Sequence, residues 1–324
     1  MQAAQGQLSL MAKREPLAKV IADTETPETT RRRLQLLNEA RDFASLELGL
    51  PDNGSYRSYV ALHADYVVWN VFATPRFSVE PERWCFPIAG CVVYRGYFHE
   101  SAAERYARRK RLRGDDAAVA GATAYSTLGH FNDPIVSTML RYNDIQVVGT
   151  LFHELAHQLV YVQGDSTFDE SFAETVADEG IARWLRSRRL ESDDANVVAW
   201  QAATMRSKQF TRLLLDTRER LRKLYASGAS DKELAWQKPL EFGRLKYEYW
   251  RLKASWGGYA GYDAWFDRAL NNADLVPIAT YDSCVPAFKR LLQQADNDMR
   301  RFYDAVRELA KKSAAERAAM CNSG

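Results

Sequence analysis

Apolar residues change their spacing about halfway along the 324-residue chain. Residues 1 to about 50 read as helical. In ETTRRRLQLLNEARDFASLELGL, Leu34, Leu37, Ala40, Phe43 and Ala44 fall on one face, with Pro27 suited to a first turn capped by Thr26. LPDNGSYRSY is turn chemistry. From 56 to 98, YVVWNVFA, FSVEP and CVVYRGYF have the aromatic and β-branched texture of short strands in an antiparallel sheet. ESAAERYARRKRLR predicts a helix with a solvated basic face. AVAGATAYSTLG reads as one more strand, and NDPIVSTMLRY as a short helix capped by Asn132 or Asp133. From about 144 onward helical periodicity dominates. It includes a pair of amphipathic helices within 206–255 joined at SGASD, and another long helix or two from Pro286.

This pattern predicts an α+β, predominantly helical chain. A mixed strand-and-helix part, residues 1–142, carries a small antiparallel sheet whose edge strand lines a cleft. A helical part, residues 143–324, completes one continuous unit.

Composition narrows the partners. Forty-four basic and 42 acidic residues leave a net charge of +2, which gives no reason to expect nucleic acid or an anionic membrane surface. No run of eighteen apolar residues is present to span a membrane, and the first twenty residues lack the apolar core of a signal peptide. The chain is therefore expected to be cytosolic, or to lie downstream of an export segment. Cys85 and Cys91 suit either a local disulfide or two buried thiols, while Cys284 and Cys321 are far apart.

The chemistry concentrates in HELAHQLVYVQGDSTFDESFAE, residues 153–174. Asn143 or Asp144 caps a helix in which Val148, Leu151, Phe152, Leu155, Leu159 and Val160 give the apolar spacing. His153 and His157 are four apart and project from one face, where two neutral imidazoles can hold a Zn²⁺ ion. Glu154 is placed to take a proton from a water that the metal activates. A catalytic zinc keeps one position open, so one further protein ligand is needed. A second helix beginning near Ser166 or Thr167, after a break at Gly164-Asp165, must double back. It brings Glu170 and Glu174 to face the histidines. Spacing alone leaves open which of the two binds metal and which orients a histidine's second nitrogen, with Glu179 a distant third. For the developing oxyanion, Tyr281 in a turn-rich segment and Tyr161, four residues past His157, are the candidates. His63, His99 and His130 are isolated and read as structural or exposed.

HExxH followed by DESFAE resembles the thermolysin-like gluzincin arrangement of zincin metallopeptidases, whose second helix carries N-E-x-x-x-D or N-E-G-F-A. That resemblance implies Glu170 as the third zinc ligand and Glu174 as the partner of a histidine. The blocks DFASLELGLPDNGSYRSY, YVVWNVFA, WCFPIAGCVVYRGYF, AYSTLGHFNDPIVSTML, LFHELAHQLVYVQGD, FDESFAETVADEG and LVPIATYDSCVPAFKRLL together resemble the bacterial putative aminopeptidase family, in order, over nearly the whole chain. Members of that family commonly begin with a lipoprotein export signal ending before a segment like QAAQGQ. The resemblance thus implies a lipidated N-terminus, a periplasmic place in the cell envelope and a Cys85–Cys91 disulfide.

The expected activity is that of a zinc-dependent peptidase acting on peptides or proteins, an aminopeptidase in its narrower form. Asp169 stands where the gluzincin motif usually has Asn, and the Gly-x-Met-Glu-Asn segment that holds a substrate amine in classical zinc aminopeptidases is absent. Two alternatives use the same residues: a zinc-containing envelope protein that binds peptides or a protein partner without turnover, and a hydrolase of non-peptide amides or esters.

Overall fold

The computed structural model describes residues 2–86, 90–124, 126–189, 193–281 and 284–322. Helices α1 (Gln2–Ala12) and α2 (Leu17–Ala22) flank the short strand β1 (Glu15–Pro16) and lead to α3 (Glu28–Leu46). The apolar spacing of α3 sets its packing, with Leu34, Leu37, Ala40 and Ala44 all buried. Its start differs from expectation. Pro27 precedes the helix, with an extended ψ of 135°, instead of entering its first turn. Thr26 makes no cap there, because its hydroxyl donates to the carbonyl of Val20 at 2.8 Å. The turn after α3 is pinned by Arg41. Its fully buried guanidinium donates to the carbonyls of Pro51, Asn53 and Ser55 and to the Ser45 hydroxyl, so a buried charge is satisfied.

Strands β2 (Ser58–Val60), β3 (Val68–Thr74), β4 (Trp84–Phe86), β5 (Gly90–Val92) and β6 (Arg95–Tyr97) precede α4 (Glu100–Leu112), β7 (Asp116–Ala122) and β8 (Ile135–Val136). They form three small sheets, ordered β1-β2-β8, β6-β3-β7 and β4-β5, where one antiparallel sheet was expected. The β2–β8 pair is parallel, joined by the long crossover through α4, while the other ladders are antiparallel. A helix capped by Asn132 or Asp133 does not form. Pro134 biases its predecessor to extended backbone, Ile135 and Val136 pair as a strand, and only a 3₁₀ turn follows over Ser137–Arg141. Asp133 instead accepts from the amide and hydroxyl of Thr127, closing the loop 127–133.

The second half is helical, as its periodicity predicts. It comprises α5 (Asp144–Ala156), α6 (Ser166–Ser187), α7 (Ala195–Tyr225), α8 (Asp231–Ser255), α9 (Asp263–Phe266), α10 (Val276–Tyr281), α11 (Val285–Gln294), α12 (Met299–Ala310) and α13 (Ala314–Asn322). Residues of α3, α5, α6, α11 and α12 share the largest apolar core. Ser230 and Glu233 close a capping box at the start of α8. Cys85–Cys91 closes the β4-β5 hairpin, and a second disulfide, Cys284–Cys321, ties α13 to the start of α11. Among the described residues no helix is long and apolar enough to cross a membrane.

Candidate metal centre

Asn143 starts α5 by accepting from the Gln146 amide at 2.9 Å, and Asp165 starts α6 by accepting from the Phe168 amide at 3.2 Å. The two helices run antiparallel and very close. A Cβ on Gly149 would lie 2.6 Å from the Ile181 side chain, and one on Gly180 would lie 2.7 Å from the Phe152 ring, so glycine at both positions lets the helices meet without displacing these side chains. The connection is braced from three sides. Asp169 accepts from the Val162 amide at 2.7 Å, Arg317 of the disulfide-tethered α13 donates to Asp165 at 2.8 Å, and Arg83 beside the β4-β5 hairpin donates to the carbonyl of Gly164.

Antiparallel packing sets Glu170 level with His157 and Glu174 level with His153. The Nε2 atoms of His153 and His157 are 3.2 Å apart, and Glu170 Oε2 lies 3.2 Å from the first and 3.5 Å from the second. Three donors with bonds of about 2.05 Å around a tetrahedral ion would stand roughly 3.3 Å apart, so this triangle fits a zinc ion with a fourth position open. Glu174 is excluded from the triangle. Its Oε2 lies 3.6 Å from the other nitrogen of His153, Nδ1. His157 Nδ1 is buried with no hydrogen-bond partner among the described residues.

Electrostatics follow this geometry. Burial would raise Glu170, but the charges and hydrogen bonds of His157 and His153 outweigh it and hold the carboxyl far below its usual range. His153 is raised well above 6.5: burial opposes its charge, while the neighbouring carboxylates of Glu170 and Glu174 outweigh it. These are signs of a site arranged for a cation. Glu154 is raised chiefly by burial, with the histidine charges pulling against it. A carboxylate kept from full acidity is suited to accept and then release a proton.

His153, Glu154 and Glu174 line a cleft of about 620 Å³ that is also lined by the end of β7, Ala120 to Ala122, and by Thr123 and Ala124 after it. That strand is the edge of its sheet. The carbonyl of Ala117 is taken by Arg111 and Asn271 and that of Thr123 by the Thr138 hydroxyl, both off the ladder. Alternation along the strand then directs the backbone groups of Val119 and Gly121 to the same outer edge.

The tyrosine expectations fare differently. The motif helix ends at Ala156, so Tyr161 does not continue its face. It lies in the connection, its hydroxyl pushed up to about 12 by burial and by Asp169 and Glu170. Tyr281 closes α10 where a turn was expected, and its side chain lies outside the described residues. Sequence reasoning missed Tyr94, between β5 and β6. This ring packs on Phe72, and burial followed by the charges of Glu170, Tyr161 and Glu154 raises its hydroxyl well above the ordinary range. It stays protonated, within reach of the charges of the site's acids. The only sequence cue was its place in an aromatic strand, which reads as packing.

A family model described as Putative aminopeptidase matches residues 1–321. Neither a curated protein nor a solved structure matches the chain.

Proposed function

Because the chain belongs to the putative aminopeptidase family, we propose that it is a zinc-dependent peptidase of the gluzincin type, with His153, His157 and Glu170 as metal ligands. The observation that carries this reading is the triangle of Nε2, Nε2 and Oε2 atoms at 3.2–3.5 Å, with Glu154 beside it in the same cleft. A bound zinc ion supplies Lewis acidity at the scissile carbonyl and lowers the pKa of water. Glu154 takes the proton of the attacking water and delivers it to the departing amine. Glu174 fixes the ring of His153 through Nδ1. Tyr94, as a neutral phenol, donates to the oxygen that gains charge as the carbonyl is attacked. The outer edge of β7 at Val119 and Gly121 aligns an extended peptide by main-chain hydrogen bonds.

Two disulfides suit an oxidising compartment, which supports a periplasmic location in the envelope. A non-catalytic zinc scaffold would give no use to a buried, proton-accepting Glu154.

The test is mass-spectrometric mapping of a mixed peptide library incubated with zinc-loaded protein, with Glu154→Gln as control. Cleavage by wild type and none by the control supports the peptidase, and a ladder of products shortened singly from the N-terminus supports the aminopeptidase. An intact library in both, with one zinc bound to each, would rule against general peptidase activity.

A further inference from the structure

Helix α8 is apolar on two opposite sides. Leu234, Leu245 and Tyr249 turn inward and are buried, the latter two in the core against α7. On the opposite side Trp236, Leu240, Tyr247 and Trp250 are 70%, 55%, 64% and 51% exposed. Their spacing of four, seven and three residues, with exposed Gly243 and Ala254 continuing the register, draws one stripe along the helix. From Trp236 to Trp250 it runs about 21 Å. Scattered exposed apolar residues are ordinary, but a continuous line with three large aromatics marks an interaction surface.

Charge around the stripe chooses the partner. Lys246 flanks it on one side and Arg244 and Arg251 on the other, and neither Lys246 nor Arg251 makes an ion pair among the described residues. Beyond the first turn, the acids of α8 are Glu241 and Glu248. Both turn toward α7, where Arg220 holds them at 2.9 and 3.0 Å. Lys253 lies 4.8 Å over the Trp250 ring and is paired with Asp263 at 2.5 Å, so Lys246 and Arg251 are the cations left for a partner. A near-zero net charge for the whole chain therefore hides a local basic border.

We propose that this outer face of α8 rests on an anionic lipid surface, with Trp236, Tyr247 and Trp250 at headgroup depth and Lys246 and Arg251 against lipid phosphates. A convex helix ridge meets a plane along its length, and Trp and Tyr are the residues whose amphipathic rings suit that boundary. A second copy of the chain fits less well. The stripe offers on the order of 400 Å², short of the roughly 800 Å² per partner of a stable interface, and pairing would set like basic borders together.

The experiment is vesicle flotation of the full chain. Phosphatidylethanolamine vesicles containing phosphatidylglycerol are compared with phosphatidylcholine vesicles, at low and raised salt. Wild type should float with the anionic vesicles, more weakly as salt rises, with a blue shift of tryptophan emission. Lys246→Gln with Arg251→Gln should weaken association roughly 25-fold, about fivefold per charge. Trp236→Gln, Tyr247→Gln and Trp250→Gln combined, all on exposed positions, should abolish it while leaving circular dichroism unchanged. Equal partition onto both vesicle types, no partition, or partition untouched by either variant would overturn the proposal. So would a wild-type dimer in sedimentation equilibrium that the aromatic variant renders monomeric, since the stripe would then serve a second copy.

Discussion

Glu174 Oε2 stands 3.6 Å from Nδ1 of His153, while Nε2 of the same ring faces Glu170 Oε2 at 3.2 Å. One imidazole is thus gripped from both sides by acids one helical turn apart on α6. The outer acid selects which nitrogen is free to bind metal, because a proton held on Nδ1 toward Glu174 leaves Nε2 with its lone pair. Glu174→Ala should lower zinc affinity 10–100-fold, as removal of such partners typically does. Glu174→Gln, which keeps an acceptor, should recover part of that loss. Chelator competition measures both. An unchanged affinity in Glu174→Ala would show that Glu174 does not position the ring.

Tyr94→Phe removes one buried hydroxyl and keeps the ring that packs on Phe72. If that hydroxyl stabilises the oxyanion, kcat should fall about 10²–10³-fold, with KM and zinc content nearly unchanged. Steady-state kinetics on a peptide found in the library screen reads this directly. Equal losses in zinc content and kcat would mean that Tyr94 serves the fold of the site instead.

The local elements of the metal centre were legible because each rests on short-range rules. Asn143 and Ser166 mark helix starts, the glycine break at 164 marks the turn, and the i, i+4 spacings of His153/His157 and Glu170/Glu174 set common faces. The division of labour between Glu170 and Glu174 was not legible in the spacing. It depends on how α5 and α6 pack, with Gly149 and Gly180 making room at the contact. Tyr94 was hidden for the same reason. It lies with Phe72, Ala118, Ala273 and Val276, residues far apart in sequence, a grouping with no local signature. The parallel β2–β8 pair and the Cys284–Cys321 disulfide are likewise long-range closures that no local pattern encodes.

The two disulfides should contribute unequally. By chain entropy, a loop of sequence separation 37 stabilises by about 4 kcal/mol and one of separation 6 by about 2 kcal/mol. Cys284→Ser with Cys321→Ser should also loosen α13, and with it the Arg317–Asp165 ion pair at the start of α6. Chemical denaturation of the two double variants should therefore rank Cys284–Cys321 as the costlier loss, accompanied by weaker zinc binding. The reverse ranking would show that the tail does not brace the site.

Asp274, in the 3₁₀ turn Asn272–Leu275 against β7, gives a pH dependence away from the metal. Burial raises its carboxyl to about 6, with the Arg268 charge pulling the other way at 2.6 Å. Unfolded, the group titrates near its ordinary value of about 3.9. Between about pH 4 and pH 6 the unfolded chain has released this proton and the folded chain still holds it. The folded state binds more protons there, so stability falls as pH rises and levels off above about 6. The full difference corresponds to about 3 kcal/mol at 1.36 kcal/mol per pH unit. Asp274→Asn keeps an acceptor for the Asn271 amide and leaves Arg268 partly exposed to water. Its urea-denaturation midpoint should therefore exceed that of wild type at pH 7 and converge with it near pH 4. Parallel profiles for the two proteins across this window would show that Asp274 ionises in the folded chain as readily as in water.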